Sequence, residues 1–256
     1  MLIDTHSHLY AEEFDLDRPE MLARARAAGI GHILLPAIDK LSYDRQDALT
    51  RQHPDCLHQM MGLHPTSVGA DFEADLRLAH DRLFAAPDDY IGIGEIGLDL
   101  YWDTTYREQQ LEALRRQIGW AERLRKPFVL HVRNAYPEVF DLLQQHGSAR
   151  YKGIMHCFSG TLDEARRAVE MGFLLGVGGV VTYKKALLPE VVKALPLQSF
   201  VLETDAPYLA PVPHRGKRNE SAYITLVAEQ VAAIKDCPFE AVAETTTAST
   251  LALFSL

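Results

Sequence analysis

Short apolar runs alternate with longer amphipathic stretches along the chain, and the alternation repeats eight times. The apolar runs fall at 2–8, 32–38, 57–65, 90–99, 127–132, 153–158, 173–181 and 200–205. Each is rich in aliphatic residues and short enough to be a strand. Charged, periodic segments follow at 19–28, 41–52, 72–85, 105–125, 136–145, 162–171, 186–194 and 221–235. Within 105–125, Leu111, Leu114, Ile118, Ala121 and Leu124 recur at three- and four-residue spacing, which sets them on one face of a helix. Gly29, Gly147 and Gly172 stand where helices end before the next strand.

This pattern predicts an α/β fold. The strands are too continuously apolar for a sheet with one wet face, so a parallel sheet covered on both faces is expected. Closure into a TIM-like (β/α)8 barrel is the simplest arrangement of eight repeats, and a doubly wound open sheet is the alternative. No Pro/Gly/Ser-rich linker or low-complexity tract interrupts the chain. Residues 1–256 therefore read as one domain, with 238–253 as an extra C-terminal helix.

Composition narrows the function classes. With 47% hydrophobic residues, a large core is expected. A net charge of −9 argues against a broad basic surface for nucleic acid, but leaves room for a local cationic site. Cys56, Cys157 and Cys237 are odd in number and lack CxxC spacing, which speaks for a reducing compartment without a disulfide framework. There is no basic leader and no apolar stretch of about 18 residues, so a cytoplasmic location without a membrane partner is expected.

The polar residues inside the apolar runs carry the chemistry. In "IDTHSHL", a continuous strand would turn Asp4, His6 and His8 to one face. By itself an HxH pair is equally an ordinary hydrogen-bonded pair. Glu95 lies late in the fourth run, while His131, His156 and Asp205 close the fifth, sixth and eighth. In a barrel all six meet at the rim where the strands end, the place where such folds build active sites. Six buried polar groups at one rim are costly unless something joins them, and divalent cations do so. The set exceeds one four-coordinate zinc and suits two metals sharing the carboxylate of Glu95. One would be held by His6, His8, Asp205 and Glu95, the other by Glu95, His131 and His156. Imidazole-rich ligation favours zinc, manganese or iron over magnesium. The expected cofactor is two divalent ions per chain, zinc, manganese or magnesium, with magnesium the poorest match to these donors.

His64 in "GLHP" ends the third strand at the same rim, where it could hold a phosphoryl oxygen, protonate a leaving oxygen, or simply cap its loop. Arg133, Arg215, Lys217 and Arg218 place cations on the loops after strands five and eight, suited to phosphate contact or to solvation. Tyr101, Trp102 and Tyr208 flank the ligand motifs and could stack bases or roof the barrel. The glycines of "GVGGVV" sit inside strand seven, where they admit close approach by the metal site or a neighbouring backbone. His53, His80 and His146 fall near helix ends and read as surface residues.

The motifs "IDTHSHL", "GLHP", "IGEIGLDLYWD", "HVRNA", "HCFSG", "GVGGVVTYKKA", "LETDAPYLAP" and "RGKRNES", in this order over essentially the whole chain, resemble the TatD family of metal-dependent deoxyribonucleases within the amidohydrolase-like barrels. The resemblance implies a TIM-like barrel, a divalent-metal centre and phosphodiester hydrolysis, in many members as a 3′→5′ exonuclease on DNA. DNA 3′ ends are then the implied substrate; the net charge of −9, which leaves capture to the metals and a few loop cations, favours short or single-stranded ends, and no obligate protein partner is expected. The family's ligands fall on His6, His8, Glu95, His131, His156 and Asp205, the six that strand position had selected. From the chemistry of phosphodiester hydrolysis, Asp205, Glu95 and His64 are the expected catalytic residues, Asp205 serving as proton acceptor or only as a ligand. Arg133, Arg215, Lys217, Arg218 and Tyr208 are the expected substrate contacts. The chain departs from the family pattern at Ser221, Asn134 and Ser249, the first two in loops expected to touch substrate. Two alternatives remain. One is hydrolysis of an ester or amide, such as D-aminoacyl-tRNA deacylation, though Glu95 in place of a carboxylated Lys favours the nuclease-like branch. The other is a binding protein with a relic site.

Overall fold

The computed structural model describes residues 1–148 and 151–256. Its strands are β1 (Leu2–Asp4), β2 (Ile30–Leu35), β3 (Leu57–Met61), β4 (Gly92–Asp99), β5 (Phe128–Arg133), β6 (Gly153–Met155), β7 (Phe173–Val177) and β8 (Phe200–Leu202). They pair in parallel in sequence order from β1 to β8. The seam between the last and first strands is drawn together by Thr5 N–H donating to Leu202 O at 3.0 Å and Asp205 N–H donating to His6 O at 2.9 Å. The result is an almost closed (β/α)8 barrel, not an open sheet.

Around it lie α1 (Arg18–Ala27), α2 (Lys40–Gln52), α3 (Phe72–Ala85), α4 (Arg107–Leu124), α5 (Tyr136–His146), α6 (Leu162–Glu170), α7 (Leu188–Ala194) and α8 (Ile224–Lys235). The stripe expected on α4 is the face it buries: Leu114, Ile118 and Ala121 are sealed, with Leu111 and Leu124 half-buried at its edges. Helix α5 ends in Gly147 at φ 87°, a left-handed turn that glycine makes without strain. Helix α4 makes the same turn with Arg125 at φ 54°, so no glycine marks its end in the sequence.

Inside the barrel, Ile3, Leu34, Met60, Val129, Ile154 and Val201 pack as one cluster with Phe254 from a ninth helix, α9 (Phe239–Phe254). Each such side chain contributes about 1.5–3 kcal/mol by leaving water. Phe254 lies against Gly92, the first residue of β4. The extra C-terminal helix therefore plugs the end where the strands begin. Polar side chains are left with the opposite rim.

Several ladders stop short of the apolar runs. β1 ends at Asp4, β6 at Met155 and β8 at Leu202, so His6, His8, His156 and Asp205 sit on the loops that follow. Cys157 at φ 45° and Asp205 at φ 58° are left-handed, which breaks the two-residue alternation and turns adjacent side chains inward. After β3 and β7 the chain enters single 3₁₀ turns at Pro65–Ser67 and Gly179–Thr182. Among the described residues no helix is long and apolar enough to cross a membrane.

Candidate metal centre

Glu95 stands midway along β4 and is 2% exposed. Its Oε1 faces His131 Nδ1 at 2.9 Å, His64 Nε2 at 3.2 Å and His156 Nε2 at 3.2 Å. Its Oε2 faces His6 Nε2 at 3.0 Å and His8 Nε2 at 3.7 Å. Asp205 Oδ1 closes the second side, 3.5 Å from His8 Nε2 and 3.8 Å from His6 Nε2. One carboxylate thus has imidazoles gathered on both of its oxygens. The approach is close because Gly97 lies on the His131 backbone, where a Cβ would come within 1.9 Å of His131 O.

The outward nitrogens of these rings set the inward ones. Tyr10 Oη donates to Pro36 O at 2.6 Å, so it can only accept from His8 Nδ1–H at 2.9 Å. That leaves a lone pair on His8 Nε2, facing the centre. His131 Nε2–H donates to Asp99 Oδ2 at 2.8 Å, which leaves the lone pair on Nδ1, again facing inward. His64 is reversed. Thr66 N–H donates to its Nδ1 at 3.1 Å, so Nε2 carries the proton toward Glu95. Two rings therefore present acceptors to the centre and one presents a donor.

Electrostatics follow the same geometry. Burial works to raise the Glu95 carboxyl, but the surrounding imidazoles outweigh it and hold it well below the ordinary carboxylate range. Burial likewise opposes ionisation of Asp205, and the imidazoles of His8, His156 and His6 around it overcome that cost. Burial keeps His6 and His64 below the usual imidazole range, whereas His131 and His156 rise above it against burial, because Asp99 and Glu95 beside the one and Glu95 and Glu203 beside the other favour a proton that a bound cation would displace. His6 Nδ1, His156 Nδ1 and Glu203 Oε2 are sealed without hydrogen-bond partners. The groups His6, His8 and Asp205; His64, Glu95 and His131; and His6, His156 and Glu203 each bring three donor atoms within 4.8 Å of one another. Convergent lone pairs on nitrogen, two ionised carboxylates and orphaned buried polar atoms fit divalent cations. Neutral water would leave most of these acceptors facing one another.

The barrel brings together all six ligands expected from sequence, and His64 with them. It also adds two carboxylates that sequence reading passed over. Asp99 fixes the His131 ring from outside. Glu203 is fully buried, takes Cys157 N–H on Oε1 at 2.5 Å and approaches His156 Nδ1 at 3.4 Å. Gly176 makes room for it, since a Cβ there would stand 2.2 Å from Glu203 Oε2. Both had a signal in the chain, an acid inside an apolar strand run, but each sits beside a more conspicuous residue.

The expected substrate contacts divide. The half-buried Arg133 lays its guanidinium 3.8 Å over the Tyr101 ring and 5.1 Å from Trp102, with no carboxylate partner among the described residues. Arg215 rests 4.5 Å over Tyr183, and Lys217 is exposed. Tyr208 is 48% exposed, its ring 6.1 Å from His8. Arg218 corrects the expectation of a phosphate contact. It grips Asp17 at 2.5 and 2.7 Å, donates to Glu13 O at 2.7 Å and covers Phe14, so its cation is committed to a structural tie. Ser221 is a second correction. It is sealed, not at a substrate loop, and its Oγ donates to Asp4 Oδ2 at 2.6 Å. Asn134 is exposed at φ 52° just after β5, and Ser249 Oγ reaches Gln198 O at 3.5 Å on the far side of the barrel.

Comparison with known proteins agrees with the geometry. The family model described as TatD related DNase matches residues 3–255. The metal-dependent hydrolase YabD of Bacillus subtilis is 38% identical, the match covering 100% of both chains. YjjV of Escherichia coli, a metal-dependent hydrolase, is 33% identical over 99% of this chain and 98% of its own. The crystal structure of YjjV, a TatD homologue, superimposes with a TM-score of 0.93 over 100% of this chain and 98% of that one, at 32% identity. The chain belongs to the TatD-related family of metal-dependent hydrolases.

Proposed function

We propose that this chain, acting as one catalytic domain in the cytoplasm, hydrolyses phosphodiester bonds at DNA 3′ ends, releasing nucleotides in the 3′→5′ direction. The observation that carries the reading is Glu95, whose two oxygens face imidazoles on opposite sides, as a bridging carboxylate between two divalent ions would. His6, His8, Asp205 and Glu95 would hold one ion, and Glu95, His131 and His156 the other, zinc or manganese suiting these donors better than magnesium. When bound, such ions supply positive charge to the phosphoryl oxygens and make water more acidic.

The residues do the rest. Asp205 accepts the proton of the attacking water as its oxygen bonds to phosphorus. His64, whose Nε2–H points at the same centre, hydrogen-bonds to the departing 3′ oxygen as the P–O3′ bond breaks, and that oxygen takes its proton from solvent. The products are a nucleoside 5′-monophosphate and a shortened strand with a 3′ hydroxyl. Arg133 and Arg215, free of carboxylate partners among the described residues, pair with the flanking phosphates, and Lys217 adds a point charge. Tyr208 offers its exposed ring to the strand end.

The test uses chelator-treated protein with zinc, manganese or magnesium added back, on a labelled single-stranded oligonucleotide and on D-aminoacyl-tRNA. Metal-dependent loss of mononucleotides from the 3′ end is expected. Deacylation of the tRNA with the oligonucleotide left intact would overturn the reading.

A further inference from the structure

A cleft of about 210 Å³ opens immediately outside two of the centre's imidazoles. It is lined by the turn at Pro65, Thr66 and Ser67, and across from it by Asp99, Trp102, Asp103, Tyr106 and Gln110. Thr66 is the residue whose N–H donates to His64, and Asp99 is the residue that accepts from His131. A group bound here therefore lies one residue away from the proposed leaving-group donor and from a proposed metal ligand.

The polar groups of the cleft narrow what fits. Gln110 is 4% exposed, and its Oε1 takes Asp99 N–H at 3.0 Å, which fixes the amide's orientation. Its Nε2 has no partner among the described residues, yet it is not among the polar atoms sealed from solvent. Because Gln110 lines the cleft, this unpartnered donor is available to a group bound there. Asp103 takes Thr105 N–H on one oxygen at 2.8 Å, leaving the other as an acceptor. Two acidic side chains in the lining oppose a second phosphate. Trp102 is 70% exposed, yet it is held in place: Tyr101 meets it edge-on at 4.9 Å and Arg133 lies over both. Exposing a large aromatic and orienting it at a cleft mouth is expensive unless a flat partner covers it.

We infer that this cleft is a nucleobase subsite, in which the base next to the scissile phosphate stacks on Trp102, accepts from Gln110 Nε2 and donates an amino group to Asp103. The inference rests on the phosphodiesterase reading and gives it a specificity determinant. Base rings stack on aromatics with little regard to identity, while the Gln110 donor and Asp103 acceptor favour bases that offer both an acceptor and an amino group. Adenine, cytosine and guanine meet that description, and thymine lacks the amino group.

Trp102 and Trp120 are the two tryptophans of the chain, and Trp120 is buried, so a Trp120→Phe variant isolates the emission of Trp102. Titration of this full-length variant with dAMP is expected to quench saturably, with dTMP weaker and deoxyribose 5-phosphate without effect. Gln110→Glu keeps the acceptor for Asp99 N–H and removes the donor, and should weaken dAMP binding roughly tenfold. On DNA, a 3′-terminal abasic site should raise KM by roughly tenfold in the wild type, and this gap should close in Trp102→Ala. Equal quenching by deoxyribose 5-phosphate and dAMP, or an abasic gap that persists in Trp102→Ala, overturns the subsite. Base-dependent quenching without DNA hydrolysis would sink the phosphodiesterase reading and leave the subsite standing.

Discussion

Asp99→Asn is the sharpest perturbation of the centre, because the surroundings dictate how the new amide must sit. In the wild type, Asp99 Oδ1 accepts from Tyr101 N–H at 3.0 Å and more weakly from Trp102 N–H at 3.4 Å, while Oδ2 accepts from His131 Nε2–H at 2.8 Å. The amide oxygen has to stay with the two backbone donors. The amide nitrogen then faces His131 Nε2 and can only donate, so the imidazole proton moves to Nδ1, the atom 2.9 Å from Glu95 Oε1. A ligand lone pair becomes a proton. Loss of such an outer carboxylate typically lowers metal affinity by about 10–100-fold, or roughly 1.4–2.8 kcal/mol. The fold should hold, since side-chain shape and the contacts to Tyr101 and Trp102 are kept. Competition against a chromophoric chelator reads the affinity, ¹⁵N shifts of the His131 ring read the tautomer, and circular dichroism checks the fold. Wild-type affinity together with a proton on Nδ1 would refute the reasoning, because it would show that the His131 lone pair contributes nothing.

Ser221→Ala removes one of three short hydrogen bonds to the sealed Asp4, the others coming from Thr204 Oγ1 at 2.7 Å and Thr204 N–H at 2.9 Å. It should lower unfolding free energy in urea by about 1.5–3 kcal/mol, and a change below 0.5 kcal/mol (roughly the scatter of ordinary surface substitutions) would contradict the assignment. Arg133→Ala should raise KM for DNA at least several-fold with little change in kcat, whereas Arg218→Ala should leave KM alone and lower stability modestly by freeing Asp17; parallel kinetics of the two variants separate these roles. His58 sits 2.9 Å from His32, and burial together with that ring pushes its pKa from 6.5 down to about 4. As pH falls from 6.5 toward 4, the unfolded chain takes up this proton before the folded one, so stability declines across that window. The drop in urea midpoint between pH 7.5 and 5 should shrink in His58→Phe, and an undiminished drop would contradict the assignment.

Much of this was legible in the chain because it depends on periodicity. Eight strand and helix patterns predict the barrel, and the stripe of Leu114, Ile118 and Ala121 predicts the face α4 buries. His6, His8, His131, His156 and Asp205 stood out because polar residues inside or just beyond apolar runs have to meet somewhere. Pattern could not place the ends of the ladders, since hydrophobicity does not report the left-handed turns at Cys157 and Asp205 that lift side chains off the strands. Nor could it tell which cations are already spoken for. Arg218 and Arg215 share one loop motif, yet only Arg218 finds a carboxylate, supplied by Asp17 some 200 residues away in sequence. Ser221 was obscured for the same reason, its partner Asp4 lying 217 residues away along the chain. Long-range pairing of this kind exists only after the barrel closes.

Anomalous diffraction from crystals of the zinc-loaded protein tests the central claim most directly. The account predicts two peaks flanking the Glu95 carboxylate, one within ligand distance of His6, His8 and Asp205 and the other of His131 and His156. Zinc bound elsewhere, or peaks whose first ligands do not include Glu95, would contradict it.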